Sequence, residues 1–505
     1  MKQQQLISAE LQHYMDAYYP IIYLNTYEEG LAREAVTAIV GSRKGYIWDV
    51  TQGLANLKTG DPEFTHAMSL DESLALLADS HDETVLLIQD AHRHLDDPRV
   101  IRWLITLAMR ITSGFESTIF LVSPIVKLPV ELEKFITVIE LGYPSQDDVI
   151  EVITKCITEN ESHIPSEDDM RLLARACSGL TRFEVDNILA LTLASGYTLD
   201  ASCVSFVNDE KSRAIKRSEV LEIIKGAQQL SAIGGLDNLK LWLQGKAKIF
   251  HDLDRARAYG VDVPKGVLVA GMPGCGKSLC AKATASCFGV PLLRLDIGKL
   301  MGKYVGESEE NMRRALALAE ANSPCVLWID ELEKAFAGIN SSTGGDKGGG
   351  GSEVATRMFG YFLTWMQEKS GSTFVIATAN NIKGLPPELL RRGRFDEIFY
   401  VGLPFEKERE QILRIHLGNR RRDDASAIDF ALIAKQTDGY SGADLESVIR
   451  DAIEYAFLRQ RPSVCTDDLV HAKKEITSIS VVMGEQLKSL EEGMKDFKLK
   501  PASCK

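Results

Sequence analysis

The sequence predicts an α/β protein with two tandem modules, each a parallel sheet between helices followed by a small helical lid. Three observations lead to this prediction. Apolar runs of strand length alternate with amphipathic helical stretches. Residues 266–278 read as a strand, a glycine-rich loop and the start of a helix. Finally, parts of the first half align with parts of the second, as duplication requires.

Composition argues against several classes of function. The net charge of −13 disfavours a broad phosphate-neutralising surface, so we do not expect nucleic acid as a partner. Nine cysteines without a CxxC pair suit a reducing compartment better than a disulfide framework or a zinc site. No apolar run approaches the ~20 residues that span a bilayer, and the first residues do not resemble a signal peptide. We therefore expect a cytoplasmic protein without a membrane span, or a stromal one if its gene is in a plastid.

Residues 1–204 are predicted to form the first module with its own lid. Ile21–Asn25 is a strand, and an amphipathic helix over Glu28–Val40 follows it. The turn between them lacks a lysine and places Glu28 and Glu29 at the helix start, where carboxylates favour the helix dipole but repel an anion. We expect this module to be degenerate and not to hydrolyse ATP.

The internal repeat supports this interpretation. Leu172–Leu189 aligns without a gap with Leu432–Ile449, and residues 117–132 resemble residues 372–389. Chance similarity between helical segments is the alternative, but two matches in the same order favour duplication. Residues 205–230 between the modules are predicted to be a charged, helical linker whose basic residues form a solvated face.

The phosphate-loop pattern lies in the second module. Gly271, Gly274 and Gly276 allow backbone NH groups to surround a phosphate at a helix N-terminus. Lys277 would reach the β- and γ-phosphates, and the Ser278 hydroxyl would ligate Mg²⁺. Cys275 is either oxidation-sensitive or a small tolerated side chain. The residues predicted to bind the phosphates of a nucleoside triphosphate are Gly271, Met272, Pro273, Gly274, Cys275, Gly276, Lys277, Ser278 and Leu279.

The apolar run 325–329 is typical of a buried parallel strand, and two acids, Asp330 and Glu331, follow it directly. Downstream of a phosphate loop, Asp330 would hold the Mg²⁺ shell and Glu331 would orient and polarise the attacking water. In the first module, the sequence alignment places Asp90 opposite Asp330 and Ala91 opposite Glu331. We therefore expect Asp90 to be a helix cap and not a metal ligand.

Residues 231–475 resemble the classical AAA clade of AAA+ ATPases. The resemblance rests on Ile233–Leu236, the phosphate loop, the acid pair and residues 390–396. Within it, the amino-acid sequence of residues 360–405 looks most like the AAA ATPase encoded by a conserved hypothetical reading frame of plastids and cyanobacteria. It implies an ATPase subdomain at 231–402, a helical lid at 403–475 and a tail at 476–505 that would be a docking helix. Ile233 and Gly234 would lie beside the adenine, although alone they are also a turn before a helix.

The resemblance also implies catalytic roles. Asn380 would be the sensor that positions the water, and its alternative is an ordinary strand-end turn residue. Arg391 and Arg394 match arginine fingers that act on the γ-phosphate in a neighbouring subunit, which implies a homo-oligomeric ring, most often a hexamer. Arg392 replaces the usual proline or aromatic residue, so which arginine engages stays open. Ala443 belongs to a lid motif near the nucleotide, where Ser441 and Asp444 are alternatively a helix cap.

Two further segments suggest what such a ring does. Tyr304 and Val305 match a pore loop that grips polypeptide, and Gly338–Ser352 is a second pore loop or a flexible spacer. The sequence thus predicts Mg²⁺-dependent ATP hydrolysis that drives remodelling or translocation of a protein partner. The alternative is a regulatory switch or scaffold whose nucleotide state controls partner binding. A nucleic-acid loader is disfavoured by the acidic charge.

Overall fold

The computed structural model describes residues 2–80, 82–160, 164–217, 220–226, 228–300, 307–335, 351–369, 371–391 and 393–504. The chain divides into two compact units, Met1–Ala214 and Ile215–Lys505. Each unit contains a mostly parallel sheet and a separate group of helices, as the sequence predicts. No helix in the described ranges is both long and apolar enough to cross a membrane.

The first unit has a six-stranded sheet. Its central strands are almost continuously apolar because both faces of the sheet are covered. The strands are β1 (Ile21–Asn25), β2 (Lys44–Asp49), β3 (Gly53–Asn56), β4 (Thr84–Ile88), β5 (Thr118–Ser123) and β6 (Ile136–Glu140). Their order in the sheet is β3-β2-β4-β5-β1-β6, and β2 and β3 form its antiparallel pair.

The helices of the first unit fall into two groups. Those before β6 cover the sheet and enclose a hydrophobic cluster on each face. Those after β6 form a helical group with its own core, and capping boxes at Ser145 and Thr181 define two of its helix starts. The helices are α1 (Lys2–Asp16), α2 (Glu29–Ile39), α3 (Leu70–Asp79), α4 (Pro98–Thr112), α5 (Gln146–Glu159), α6 (Glu167–Cys177), α7 (Arg182–Ala194) and α8 (Val204–Arg217).

The second unit has a seven-stranded sheet. The strands are β7 (Leu221–Ile224), β8 (Gly266–Gly271), β9 (Leu292–Leu295), β10 (Cys325–Ile329), β11 (Thr373–Ala379), β12 (Glu397–Val401) and β13 (Lys500–Pro501). Their order is β13-β12-β8-β11-β10-β9-β7, with an antiparallel pair between β7 and β9. The parallel strands place their carboxyl ends at one edge of the sheet.

The helices of the second unit also form a sheet-covering group and a lid. The lid consists of α16 to α19, which share one hydrophobic cluster. The helices are α9 (Asp237–His251), α10 (Leu253–Ala258), α11 (Lys277–Phe288), α12 (Ile297–Leu300), α13 (Glu307–Ala321), α14 (Leu332–Ala335), α15 (Gly351–Glu368), α16 (Glu406–Arg420), α17 (Phe430–Gln436), α18 (Gly442–Leu458), α19 (Thr466–Glu475), α20 (Ile479–Val482) and α21 (Gly484–Asp496).

Two regions differ from the sequence-based expectations. The predicted linker 205–230 contains most of α8 and also β7, which joins the second sheet by pairing with β9. Lys211 in this region is buried, so its side chain is not part of a solvated basic face. The predicted tail 476–505 contains α21 as expected, but then adds β13 beside β12. Both strands are short, and their pairing partners are distant in sequence, so local patterns do not reveal them.

Candidate nucleotide site

A cleft of about 410 Å³ lies at the carboxyl edge of the second sheet, against α16 and α18 of the lid. It collects residues that follow β8, β10 and β11, because parallel strands end at this edge. The predicted site residues that line the cleft are Ile233, Gly234, Pro273, Gly274, Cys275, Gly276, Lys277, Ser278, Leu279, Asp330, Glu331, Asn380 and Ala443.

The phosphate loop ends where α11 begins at Lys277. Gly276 precedes that helix with φ of +87°, a conformation that residues with a Cβ rarely adopt. The Lys277 side chain is only 7% exposed, and its Nζ donates to the carbonyl oxygens of Gly271 (2.8 Å) and Met272 (2.7 Å). Burial lowers the pKa of this lysine. A buried ammonium at a helix N-terminus fits the charge of a triphosphate.

Gly271 and Met272 contribute to the loop in a different way than predicted. Neither residue lines the cleft. The Met272 side chain is fully buried and packs against Tyr400 and Leu490. Both residues therefore act through the carbonyl groups that hold Lys277, because their side-chain positions face protein and not the cleft.

The two acids at the end of β10 are held by neighbouring polar groups. Thr378 Oγ1 donates to Asp330 Oδ1, and it accepts from the backbone NH of Glu331 at 3.1 Å. Glu331 has a φ of +52°, Asn380 Nδ2 donates to its Oε1 at 3.2 Å, and Lys334 Nζ lies 2.6 Å from its Oε2. The predicted sensor and the predicted water-polarising acid are therefore directly hydrogen-bonded.

Glu333 is a third acid that the sequence analysis missed. Its Oε1 accepts from the backbone NH of Asn380 at 3.0 Å, whereas its buried Oε2 has no hydrogen-bond partner among the described residues. Burial raises the pKa of this carboxyl group. Its position two residues after the acid pair is visible in the sequence, but its contact with Asn380 requires the pairing of β10 and β11.

Residues 233–236, which directly precede α9, contact helix α16 of the lid. A Cβ on Gly234 would lie 2.5 Å from Cγ1 of Ile412, so only glycine permits this close approach. The backbone NH of Leu236 donates to Glu408 Oε1 at 3.0 Å. Ile233 is buried in the core beneath it. The α16 residues of this wall include Ile412, Ile415 and His416, none of which the sequence analysis identified.

The start of α18 combines two predicted roles. Ser441 accepts from the backbone NH of Asp444 at 3.2 Å, and Asp444 accepts from that of Ser441 at 2.9 Å, which makes a capping box. The backbone NH of Ala443 donates to the carbonyl oxygen of Gly274 at 2.9 Å. Ser441 and Asp444 thus cap the helix, while Ala443 joins the lid to the phosphate loop.

Cys275 lies within this loop, and burial raises its pKa to about 11. Its thiol therefore stays protonated near neutral pH, because desolvation disfavours the thiolate. This favours the small tolerated side chain over the oxidation-sensitive alternative.

The two predicted arginine fingers do not line the cleft of their own chain. Arg391 is exposed, and Arg394 is half-buried with a buried Nε that has no hydrogen-bond partner among the described residues. Arg392, Tyr304 and Val305 lie outside the described residues, as do residues 338–350 of the predicted second loop.

The end of β4 corrects the sequence alignment of the acids. The last strand residues, Ile88 and Ile329, are equivalent, so Gln89 stands at the place of Asp330 and Asp90 at that of Glu331. Asp90 and Glu331 also share a positive φ, +49° and +52°. Placing Asp90 opposite Asp330 is wrong by one residue. Asp90 does stand at the predicted cap position, before the short 3-10 helix Ala91–Arg93, but its side chain makes no capping hydrogen bond among the described residues.

Domain-family comparisons cover both units. The profile of the "ATPase family associated with various cellular activities (AAA)" matches residues 267–403, and that of the "AAA+ lid domain" matches residues 427–471. Profiles of the "SpoVK-like AAA ATPase" match residues 7–141 for its N-terminal domain and 147–218 for its second domain. These matches define an AAA-type protein.

Relatives align along nearly the whole chain. An uncharacterized AAA domain-containing protein ycf46 from Guillardia theta is 35% identical over 97% of this chain and 95% of its own length. Its counterpart from Trieres chinensis is 34% identical over 97% of both chains. The chain therefore belongs to the AAA ATPase family, in the group of the ycf46 proteins, which confirms the predicted family.

A shorter stretch of the chain also resembles part of a third protein. An ATP-dependent zinc metalloprotease FtsH from Mycoplasmopsis synoviae is 41% identical over 196 residues, which are 38% of this chain and 28% of that protein. The similarity is thus limited to a part of both proteins, and it relates this chain to an FtsH-type AAA domain.

Proposed function

We propose that this protein hydrolyses ATP with Mg²⁺ in the cleft of its second unit. The observation that carries the proposal is the convergence of buried Lys277, the acid pair and Asn380 on one cleft at a glycine-rich loop. A cation and backbone amides suit the phosphates, and adjacent carboxylates suit a metal and a water molecule.

The residues divide this work between them. The phosphate loop and Lys277 would bind the β- and γ-phosphates. Ser278 and Asp330 would hold Mg²⁺, which when bound neutralises phosphate charge. Glu331 would orient and polarise water, with Asn380 fixing its carboxylate. The Lys334 amine, 2.6 Å from Glu331, must give way when the carboxylate takes this role.

We further propose that the protein acts as a homo-oligomeric ring, with a hexamer as the expected form. Arg391 and Arg394 lie outside their own cleft, which is what fingers acting on a neighbour's nucleotide require. They would stabilise the charge that develops on the γ-phosphate.

Subunit mixing tests the ring and the fingers together. Glu331→Gln subunits keep their fingers but lose their own catalysis, whereas a chain with Arg391→Ala and Arg394→Ala keeps its acids but lacks the fingers. We expect each protein alone to be nearly inactive and an equal mixture to recover about one quarter of wild-type turnover, because only clefts paired with an intact neighbour work. A mixture of Glu331→Gln and Lys277→Ala chains is the control. No recovery in the first mixture would contradict action in trans.

The work of the ring is proposed to be remodelling or translocation of a protein partner. Tyr304 and Val305 fall between α12 and α13, after the phosphate loop and before the acid pair, where the family has a pore loop. Tyr304→Ala should preserve nucleotide binding and uncouple hydrolysis from movement of the partner. Normal remodelling by this variant would exclude the pore function.

A regulatory switch is the second candidate. Glu331 is engaged by both Asn380 and Lys334, an arrangement that suits slow hydrolysis and control through nucleotide binding. The Glu331→Gln variant should form a stable ATP-bound state, from which partners can be isolated. Full biological activity in that trapped state would favour the switch, and loss of activity would favour the remodelling ring.

The first unit is proposed to be a degenerate module that recruits a partner or shapes assembly. The turn between β1 and α2 has no lysine, and Glu28 and Glu29 stand at the helix start. The cytoplasmic or stromal location also remains a prediction.

A further inference from the structure

The chain beyond the lid returns to the nucleotide cleft. The backbone NH of Ile479 donates to Asp444 Oδ2 at 3.1 Å, at the start of α18. Leu490 of α21 then packs against Met272, whose backbone holds Lys277. This part of the chain therefore touches the lid first and the back of the phosphate loop next.

Residues 500–504, called segment 500–504 below, are held firmly beside the sheet. Its first two residues pair with β12. The backbone NH of Ala502 donates to the Tyr400 carbonyl at 2.9 Å, and the Ala502 carbonyl accepts from Leu239 at 3.2 Å. The Ala502 side chain is fully buried in the cluster that includes Ile233 and Leu236. The segment is therefore part of the packed structure of the second unit.

Asn238 in the first turn of α9 fixes the end of this segment. Its Nδ2 donates to the carbonyl oxygens of Pro501 (3.1 Å) and Ser503 (3.0 Å), and the Cys504 thiol donates to its Oδ1 at 2.8 Å. Ser503 is thereby brought into the lining of the nucleotide cleft, next to the turn that carries Ile233.

We propose that segment 500–504 forms part of the cleft wall against the nucleoside portion of the nucleotide, with Ser503 as the residue that faces the nucleoside. This inference rests on the proposed ATP site. In the proposed site, the loop and Lys277 bind the phosphates, whereas a base and ribose need a mostly apolar wall with a few polar groups. Segment 500–504 supplies such a wall because it packs on Ile233 and Leu236 and presents Ser503 to the cleft.

Calorimetric titration of the full chain with ATP and with inorganic tripolyphosphate tests this placement. Ser503→Trp should weaken ATP binding at least about tenfold, because the indole occupies space beside the nucleoside, while tripolyphosphate binding changes less than about twofold. Leu241→Trp, on the exposed face of α9 and outside the cleft lining, is the matched control for an added indole, and we expect its ATP affinity within about threefold of wild type.

Asn238→Asp provides a second variant, which decides the question if Ser503→Trp does not fold. It keeps the size of the side chain but removes the donor to Pro501 and Ser503, so ATP affinity should fall about fivefold and tripolyphosphate affinity should not. Unchanged ATP affinity in folded Ser503→Trp or Asn238→Asp, or equal weakening of ATP and tripolyphosphate binding in these variants, would overturn the inference. The proposed ATP site fails separately, if the wild-type chain does not bind ATP or if Lys277→Ala leaves binding intact.

Discussion

The two units share one sheet plan and differ at the edge where the second unit has its cleft. Strands β6, β1, β5, β4 and β2 follow one another in the first sheet as β12, β8, β11, β10 and β9 do in the second. In the second unit, residues 272–276 separate β8 from α11, but only residues 26–28 separate β1 from α2. The shorter turn leaves less backbone to surround a phosphate. Two sheets with the same strand order can thus differ in the loop on which nucleotide chemistry would depend.

The two units also differ in how a helix of the helical group contacts the turn that follows β8 or β1. In the second unit, the backbone NH of Ala443 donates to the Gly274 carbonyl of the phosphate loop. At the start of the corresponding helix in the first unit, α7, the backbone NH of Arg182 donates to the Glu28 carboxylate. A protein carboxylate thus occupies a helix N-terminus of the first unit, and burial raises the pKa of Glu28. The comparison supports the proposal that only the second unit binds an anion at this edge.

The largest expected contrast concerns the residues after β10 and β4. Glu331→Gln should lower the rate of ATP hydrolysis about 10³-fold with little loss of ATP binding, because the amide cannot act as a base. Asp90→Asn, at the equivalent place in the first unit, should leave turnover unchanged. Release of phosphate under saturating ATP measures both rates, and equal losses in the two variants would mean that both units are catalytic.

Nucleotide affinity should depend on the start of α11 in the second unit and not on the start of α2 in the first unit. Lys277→Ala removes a charged donor from the loop, and we expect ATP to bind about 100-fold more weakly. Glu29→Ala at the start of α2 is the matched change in the first unit and should not alter the affinity. Titration with a fluorescent ATP analogue measures both. An affinity that falls in Glu29→Ala would indicate a site in the first unit.

A smaller effect should distinguish the sensor from its neighbour. Asn380→Ala removes the hydrogen bond to Glu331, so hydrolysis of bound ATP should slow about tenfold. Asn381→Ala is the control, because its side chain caps the next turn through the backbone NH groups of Lys383 and Gly384. We expect single-turnover hydrolysis to be unchanged in this control. An equal loss in both variants would point to a general disturbance of the strand end.

The smallest expected effect lies in the first unit and depends on pH. Burial raises the pKa of Glu28, although its contact with Arg182 lowers it in part. Ionisation therefore disfavours the closed arrangement that buries this carboxylate as pH rises through its folded pKa, whereas below its unfolded pKa the penalty is absent. Glu28→Gln keeps an acceptor for Arg182 and should remove this dependence. Hydrogen exchange at the Arg182 amide, corrected for intrinsic rates between pH 5 and 8, measures the contact. Glu34→Gln on the exposed side of α2 is the control, and a wild-type amide whose protection increases with pH would contradict the prediction.

Much of the fold was predictable because its signals are local. The strands β1, β4, β5 and β8 are continuous apolar runs, and helices such as α2 and α16 carry an apolar stripe. The alignment of the acids was less reliable. A shared aspartate placed Asp90 opposite Asp330, but the strand ends and the positive φ angles place it opposite Glu331. Backbone conformation decides this equivalence, and sequence identity does not report it.

By itself, the sequence determined the phosphate loop, the acid pair, the family and the two α/β units, because each depends on residue types at short, fixed spacings. Only the tertiary structure decided that Glu333 contacts Asn380, that Glu28 meets Arg182, and that Ser503 lines the cleft. These partners are far apart in the chain. They meet only through the order of the strands and the return of the lid and of segment 500–504 to the sheet edge, and no local pattern encodes that arrangement.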